Sequence, residues 1–389
     1  MLRYLHEFTR QPWQQLTALA GLLALLGGCV DKYTPEAIAT PPDNLAVEGS
    51  INLTGVTTVR LTRTRGLTAG TVAPTEAHAT VAILDEAGNR YALTEQAPGT
   101  YASASLKLSA SHQYQLRLRT AAGRDYASDL VAPTESPAID DVTWSVEPGG
   151  IQIAASTHAT ANATRYYRWS YQETWEFYSA YQSDYQYVAG KIVPRTDNIN
   201  HCWHLEDSHA IILSNNSALS QNVTSRFPLT LLPTNSGRLG TKYSINVQLH
   251  ALTADEFAYW EKLRKNTESL GTLFDPLPSQ LTGNVHSLSD PGELVLGYVG
   301  AGSVAERRIF IARTDLPRSI SNSPFISGYE TCTTDTVKVG DAAFYFGNGT
   351  FLPIFPANNL MPPTAYSAAT PDCVDCRLRG TNIKPSYWP

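Results

Sequence analysis

Between Leu45 and Leu130 apolar and polar residues alternate in short runs, the period of two that marks strands with one face in a core. Val56-Thr-Thr-Val-Arg-Leu-Thr-Arg63, Ala79-Thr-Val-Ala-Ile-Leu84, Tyr114-Gln-Leu-Arg-Leu-Arg119 and the run ending at Tyr126 each place their apolar side chains on one side. Turn chemistry at Asp85-Glu-Ala-Gly88-Asn89 and Ala121-Ala-Gly123-Arg124 separates them. About seven strands at this spacing predict an immunoglobulin-like or transthyretin-like β-sandwich over residues 45–135. Pro133-Thr-Glu-Ser-Pro137 sets two prolines close together and closes that unit.

A larger β-rich unit, residues 138–389, opens with Ile139-Asp-Asp-Val-Thr-Trp144. Its most informative stretch runs from Tyr167 to Phe177: Tyr167, Trp169, Tyr171, Glu173, Trp175 and Phe177 share one face, while the other is polar. Aromatics that bury about 150–250 Å² each make this strand the predicted anchor of the second core. Glu173 interrupts the face, and an isolated buried carboxylate is costly. It is therefore expected to pair with an arginine or a tyrosine hydroxyl, the alternative being a face that opens to a ligand. Tyr181 and Tyr185 follow in a tyrosine-rich polar stretch and are candidates for the same ligand-facing surface, or else a cover for the sheet. One helix is predicted near residues 254–267: Thr253 and Glu256 form a capping box, Phe257, Trp260, Leu263 and Arg264 recur at helical spacing, and Asn266 to Gly271 offers the stop. Strands resume at Leu294–Tyr298 and Arg307–Ile311, before a closing region rich in proline, glycine and cysteine.

The start of the chain changes the picture, because it carries an address. Arg3 and Arg10 precede an apolar core, Leu16 to Leu26, which is too short to span a bilayer as a stable helix. Gly27 and Gly28 then lead directly into Cys29. That order predicts a lipoprotein signal peptide over residues 1–28, with Cys29 lipidated and exposed as the first mature residue. Residues 29–44, with Thr34-Pro35 and Thr40-Pro41-Pro42-Asp43, read as a tether of a few nanometres at about 3 Å per residue. The expected location is a membrane surface, where the lipid would hold the folded part. The chain carries a formal net charge of −6. Without a Lys/Arg cluster, it is a poor nucleic-acid partner.

Cys202, Cys332, Cys373 and Cys376 remain after Cys29, an even set that predicts two disulfides in an oxidising compartment, with three connectivities open. A zinc site at Cys373-Val-Asp-Cys376 would need a second such pair or two spaced histidines, which the sequence does not place nearby. A bond within that pair is disfavoured, since distant partners close longer loops and restrict the unfolded chain more.

Catalytic signatures are missing: there is no Gly-x-Ser-x-Gly elbow, His-Glu-x-x-His helix, phosphate-binding Gly-x-x-x-x-Gly-Lys or dinucleotide fingerprint. His201, His204 and His209 lie among Cys202, Glu206 and Asp207 and are the weak candidates for a metal. Cys202 is assigned to a disulfide and histidines beside carboxylates are common in solvated turns, so neither metal nor cofactor is expected.

Five runs in order resemble a known family. They are Leu45-Ala-Val-Glu-Gly49, Tyr166 to Phe177, Gly271-Thr-Leu-Phe-Asp-Pro-Leu-Pro278 with Gly283-Asn-Val285, Val295-Leu-Gly-Tyr298, and Cys373-Val-Asp-Cys376-Arg377 leading to Lys384-Pro385-Ser386-Tyr387-Trp388. Together with the lipid signal they look like the landmarks of the Bacteroidota lipoproteins called domain of unknown function 4249. Arg379-Gly380 departs from the glycine pair expected there. The resemblance implies an accessory lipoprotein of the outer membrane, encoded beside a TonB-dependent receptor, and supplies no catalytic residues to carry over. The expected function is thus binding or accessory work with such a receptor; a structural surface protein or adhesin, or a hydrolase without a recognisable motif, are the alternatives.

Overall fold

The computed structural model describes residues 43–65, 73–160, 163–268 and 281–389. The signal segment, Cys29, the tether through residue 42 and the run Gly271 to Pro278 lie outside the described residues. The protein is mainly β, as the alternation predicts. Its first strands are β1 (Leu45–Gly49), β2 (Thr58–Arg63), β3 (Thr80–Asp85), β4 (Arg90–Ala97), β5 (Thr100–Ser103), β6 (Tyr114–Arg119) and β7 (Asp125–Ser128). They hydrogen-bond antiparallel in the order β1-β2-β5-β4-β3-β6-β7. Leu45 and Val47, Val59 and Leu61, and Leu116 and Leu118 are the inward positions of three alternating runs, and all are buried in one core.

One feature departs from the boundary expected at residue 138. The sheet continues past β7 into Val285–Ser287, which pairs with Tyr126 to Ser128, so a piece of the later chain completes the first unit. The chain then crosses to the opposite edge. There the Val47 amide donates to the Leu296 carbonyl at 2.8 Å and the Ile51 amide to that of Gly300 at 2.8 Å. Val285, Val295, Val299 and Ala301 enter the first core. Both sheet edges would otherwise leave backbone groups unpaired. The excursion needs glycine: a Cβ on Gly297, which sits at φ +128°, would fall 2.0 Å from the Val47 carbonyl oxygen. One on Gly283 would fall 1.6 Å from that of Gly297. Asn284 fastens the crossing by donating to the Val299 carbonyl at 3.0 Å and accepting from its amide at 2.8 Å. The short runs around Gly283 and Gly297 therefore close a sheet.

The second unit contains β8 (Ile139–Glu147), β9 (Gly150–His158), β10 (Tyr166–Tyr178), β11 (His201–Asp207), β12 (Val223–Pro233), β13 (Lys242–Leu252), α1 (Ala254–Glu268) and β14 (Val304–Ala312). β8, β9 and β12 form one sheet, and β11, β10, β13 and β14 form the other, with Ile212–Asn215 beside the start of β10. Tyr167 and Trp169 of β10, Ile151 and Ile153 of β9, and Ile245 and Val247 of β13 share the core of these two sheets. Buried Tyr167 and Trp169 keep their polar atoms satisfied: Tyr167 Oη donates to the Thr164 carbonyl at 2.7 Å and Trp169 Nε1 to Ser214 Oγ at 2.9 Å.

The polar face of β10 is also partly covered. Tyr387 and Thr174 hydroxyls meet at 2.9 Å, Arg308 lies over the Tyr387 ring, and Trp388 packs edge-on against Phe310. The closing run Lys384 to Trp388 thus lies over this face. Disulfides Cys202–Cys376 and Cys332–Cys373 fasten the rest of the closing region, and neither bond lies within the Cys373/Cys376 pair.

α1 begins where expected, with Thr253 Oγ1 accepting from the Glu256 amide at 3.1 Å. The Glu256 carboxyl, read as the returning half of a capping box, instead turns inward, 6% exposed, and accepts from Trp260 Nε1 at 3.5 Å. Burial raises its pKa to about 7, against the opposing pull of Arg168. Between the ordinary carboxyl range and pH 7 the folded protein holds a proton that the unfolded chain has released, so stability falls as pH rises through this window. Glu256→Gln should therefore stabilise the protein at pH 8 by up to about 3 kcal/mol and bring no gain at pH 4. Urea unfolding at the two pH values checks this, and an equal effect at both would contradict it.

Candidate functional site

The C-terminal half of β10 leaves the core and becomes one wall of a groove of about 650 Å³. Trp175, Phe177 and Tyr178 supply aromatic surface, His204 comes from β11, and the segments Ser236–Thr241 and Phe325–Gly328 face them. Those two segments approach closely because glycines let them. A Cβ on Gly237 would lie 2.4 Å from the Ile326 carbonyl oxygen, and one on Gly240 would lie 2.7 Å from the Phe325 ring. Ser236 accepts from the Arg238 amide at 3.3 Å and fixes the turn that points Arg238 into the groove.

Arg238 is the centre of the floor. Its guanidinium donates to Glu173 Oε2, donates to Glu206 Oε2 at 2.6 Å and lies 4.8 Å from the centre of the Trp175 ring. Tyr243 Oη donates to the other Glu173 oxygen at 2.7 Å. Burial pulls Arg238 towards neutrality, but the Glu173 and Glu206 carboxylates outweigh it and raise its pKa. Burial, reinforced by Glu173, pushes the Tyr243 phenol well above its ordinary value, so it remains a donor. Glu173 thus takes the paired alternative, with both an arginine and a tyrosine hydroxyl, and it is buried beneath the residues that line the groove.

His204 stacks on Trp175 at 4.4 Å, and its Nδ1–H donates to the Arg379 carbonyl. Arg379 in turn donates to the Gly328 carbonyl at 2.7 Å and lies 4.0 Å from the centre of the Tyr329 ring. The residue that departs from the expected glycine pair thereby contributes a cation to the groove. Gly380 beside it must stay small, since a Cβ there would lie 2.5 Å from the Trp203 carbonyl oxygen.

The other candidates are placed elsewhere or otherwise engaged. Tyr181 donates to the Cys332 carbonyl at 2.9 Å and packs with Ile199 and Val374; Tyr185 meets Tyr366 edge-on at 5.1 Å. Both are half-buried covers of small cores and lie outside the groove lining. His201 reaches Glu176 at 2.6 Å and stacks on Tyr178, while His209 is exposed. Among the described residues no three His, Cys, Asp or Glu side chains converge as metal ligands. Arg238, Phe325, Ile326 and Arg379 come from irregular segments with no periodic signal in the sequence.

A family model described as a domain of unknown function, DUF4249, matches residues 30–308. The chain belongs to the DUF4249 family. The match covers the first sheet and its closing excursion through Gly283 and Gly297, and most of the two-sheet unit; the groove residues Phe325 to Gly328 and Arg379 lie beyond it. No curated protein matches this DUF4249 chain. Among solved structures, it is similar to the FN1–FN3 domains of chicken CNTN1, at 16% identity and a TM-score of 0.18, over 55% of this chain and 64% of that one. A DUF4785 family protein from Legionella pneumophila is similar at 8% identity and a TM-score of 0.18, over 53% of this chain and 52% of that one. The DUF4249 chain therefore spans less than two thirds of either structure.

Proposed function

We propose that this DUF4249 protein is a lipid-anchored binding or accessory module of the outer membrane, and that its groove receives an apolar segment of a TonB-dependent barrel receptor. The observation that carries this is the groove itself. Its rim exposes Tyr178, Phe325 and Ile326, the last 60% exposed, around an aromatic wall. Clustered exposed apolar side chains beside a preformed concavity suit a docking partner. The charges on its floor are already satisfied by one another through Glu173, Arg238 and Glu206, which favours recognition over acid–base chemistry.

The anchor rests on the run Leu16 to Cys29 and the proline-rich tether after it. A lipid on Cys29 would hold the folded units within reach of a membrane partner. Cys29→Ser should move most of the protein from the membrane fraction to the soluble fraction and leave its mature N-terminus without lipid. Membrane retention unchanged in that variant, with no lipid on the wild-type terminus by mass spectrometry, would contradict the proposal.

A further inference from the structure

A second cavity, of about 510 Å³, lies between the first sheet and the start of α1, and the proposed receptor contact makes no use of it. Arg168 of β10 lies on its wall with the guanidinium carbon 4.6 Å from the centre of the Trp260 ring. The Arg168 Nε is buried without a hydrogen-bond partner. Trp260 turns its Nε1 edge to Glu256, so one indole carries a guanidinium on its face and a carboxyl at its rim. These two opposite groups influence each other through space without a hydrogen bond between them. A buried guanidinium nitrogen lacking an acceptor and a buried acid lacking a cationic donor are each unfavourable in isolation.

We propose that this cavity binds the zwitterionic head of a free α-amino acid, with its carboxylate on the Arg168 guanidinium and its ammonium on the Glu256 carboxylate. A planar guanidinium suits a carboxylate and a carboxylate suits an ammonium, and Arg168 and Glu256, which share no hydrogen bond, present both to one cavity. The charge of the lining selects against other anions. With Glu256 ionised, Glu48, Glu256 and Glu306 face Arg60 and Arg168, an acidic excess that disfavours phosphate or a bare carboxylate, whereas a zwitterion adds no net charge. His250, also on the wall, is kept neutral because burial lowers its pKa to about 3, with Arg168 adding to the shift. The volume falls within the range of about 300–1,000 Å³ usual for small-molecule sites and leaves space for a side chain.

The site carries its own pH signature. Arg168, His250, Glu48, Glu306, Arg60 and Tyr298 are the charged or titratable groups around Glu256, and Glu256 is the one whose pKa stands at about 7. An ammonium ligand requires it ionised, so binding near pH 6 should release a proton and affinity should rise about tenfold or more between pH 5.5 and 7.5.

Titration calorimetry on the full mature protein tests the proposal, with the common L-amino acids added singly. Acetate and inorganic phosphate serve as anion controls, and the best binder is repeated as its N-acetyl and amide derivatives. At least one amino acid should bind with a Kd at or below about 1 mM. Both derivatives should bind at least about tenfold weaker, and so should Arg168→Gln and Glu256→Gln. Should Arg168→Gln fail to fold, Glu256→Gln and the wild-type pH profile decide. Absence of binding by any amino acid, equal binding of acetate or phosphate, or an affinity independent of pH would each overturn it.

Discussion

Trp169→Ala should destabilise the protein by about 3–5 kcal/mol, the usual cost of truncating a large buried aromatic. The side chain is fully buried between the two sheets of the second unit and stacks on Phe227 with ring centres 6.0 Å apart. Alanine would leave a cavity that β-strands on both sides cannot close, and Ser214 would lose the indole donor that now satisfies it. Tyr178→Ala, at the far end of the same strand, is the control. The residue is 46% exposed and its ring stacks on His201, so its loss should cost no more than about 1.5 kcal/mol, well below the Trp169 loss. Urea unfolding of both variants makes the comparison. A wild-type midpoint for Trp169→Ala would show that β10 is not the anchor of that core.

Removal of the Cys202–Cys376 bond by a double serine substitution carries the second large effect. The cysteines are 174 residues apart, and release of so long a loop in the unfolded chain corresponds to about 5 kcal/mol in the chain-entropy account, within a usual loss of about 2–5 kcal/mol. The local consequence reaches the groove. Cys376 begins the short turn that leads into Arg379, whose carbonyl holds His204 and whose guanidinium holds Gly328. The oxidised wild type should yield Cys202–Cys376 and Cys332–Cys373 peptides on non-reducing mapping, and the variant should unfold at lower urea. An unchanged unfolding midpoint, or a Cys373–Cys376 peptide in the wild type, would contradict this account.

Periodicity made the elements legible where one face of a strand meets a core. The alternation at Tyr114 to Arg119 and at Tyr167 to Phe177 foretells burial, and Thr253 marks the start of α1. It fails where a segment is too short to have a period: Val285–Ser287 has three residues, and only its pairing with β7 shows that it belongs to the first sheet. The same holds for Glu256. Its spacing from Thr253 fits a capping box, yet the inward face of α1 and the buried Trp260 edge draw the carboxyl towards Arg168. Of the groove, the sequence shows Glu173, its need for a partner and the nearby histidines. Arg238 and Arg379 approach through turns that glycines permit, and such close approaches leave no pattern along the chain.

Association through the groove is most directly tested by photo-crosslinking in the outer membrane. A photoreactive residue replaces Ile326 on the groove rim or, as a control, exposed Arg117 on the first sheet, and the captured species are identified by mass spectrometry. The account predicts a TonB-dependent barrel receptor crosslinked from position 326 and not from position 117. Capture of no barrel from position 326, or of the same species from both positions, would contradict it.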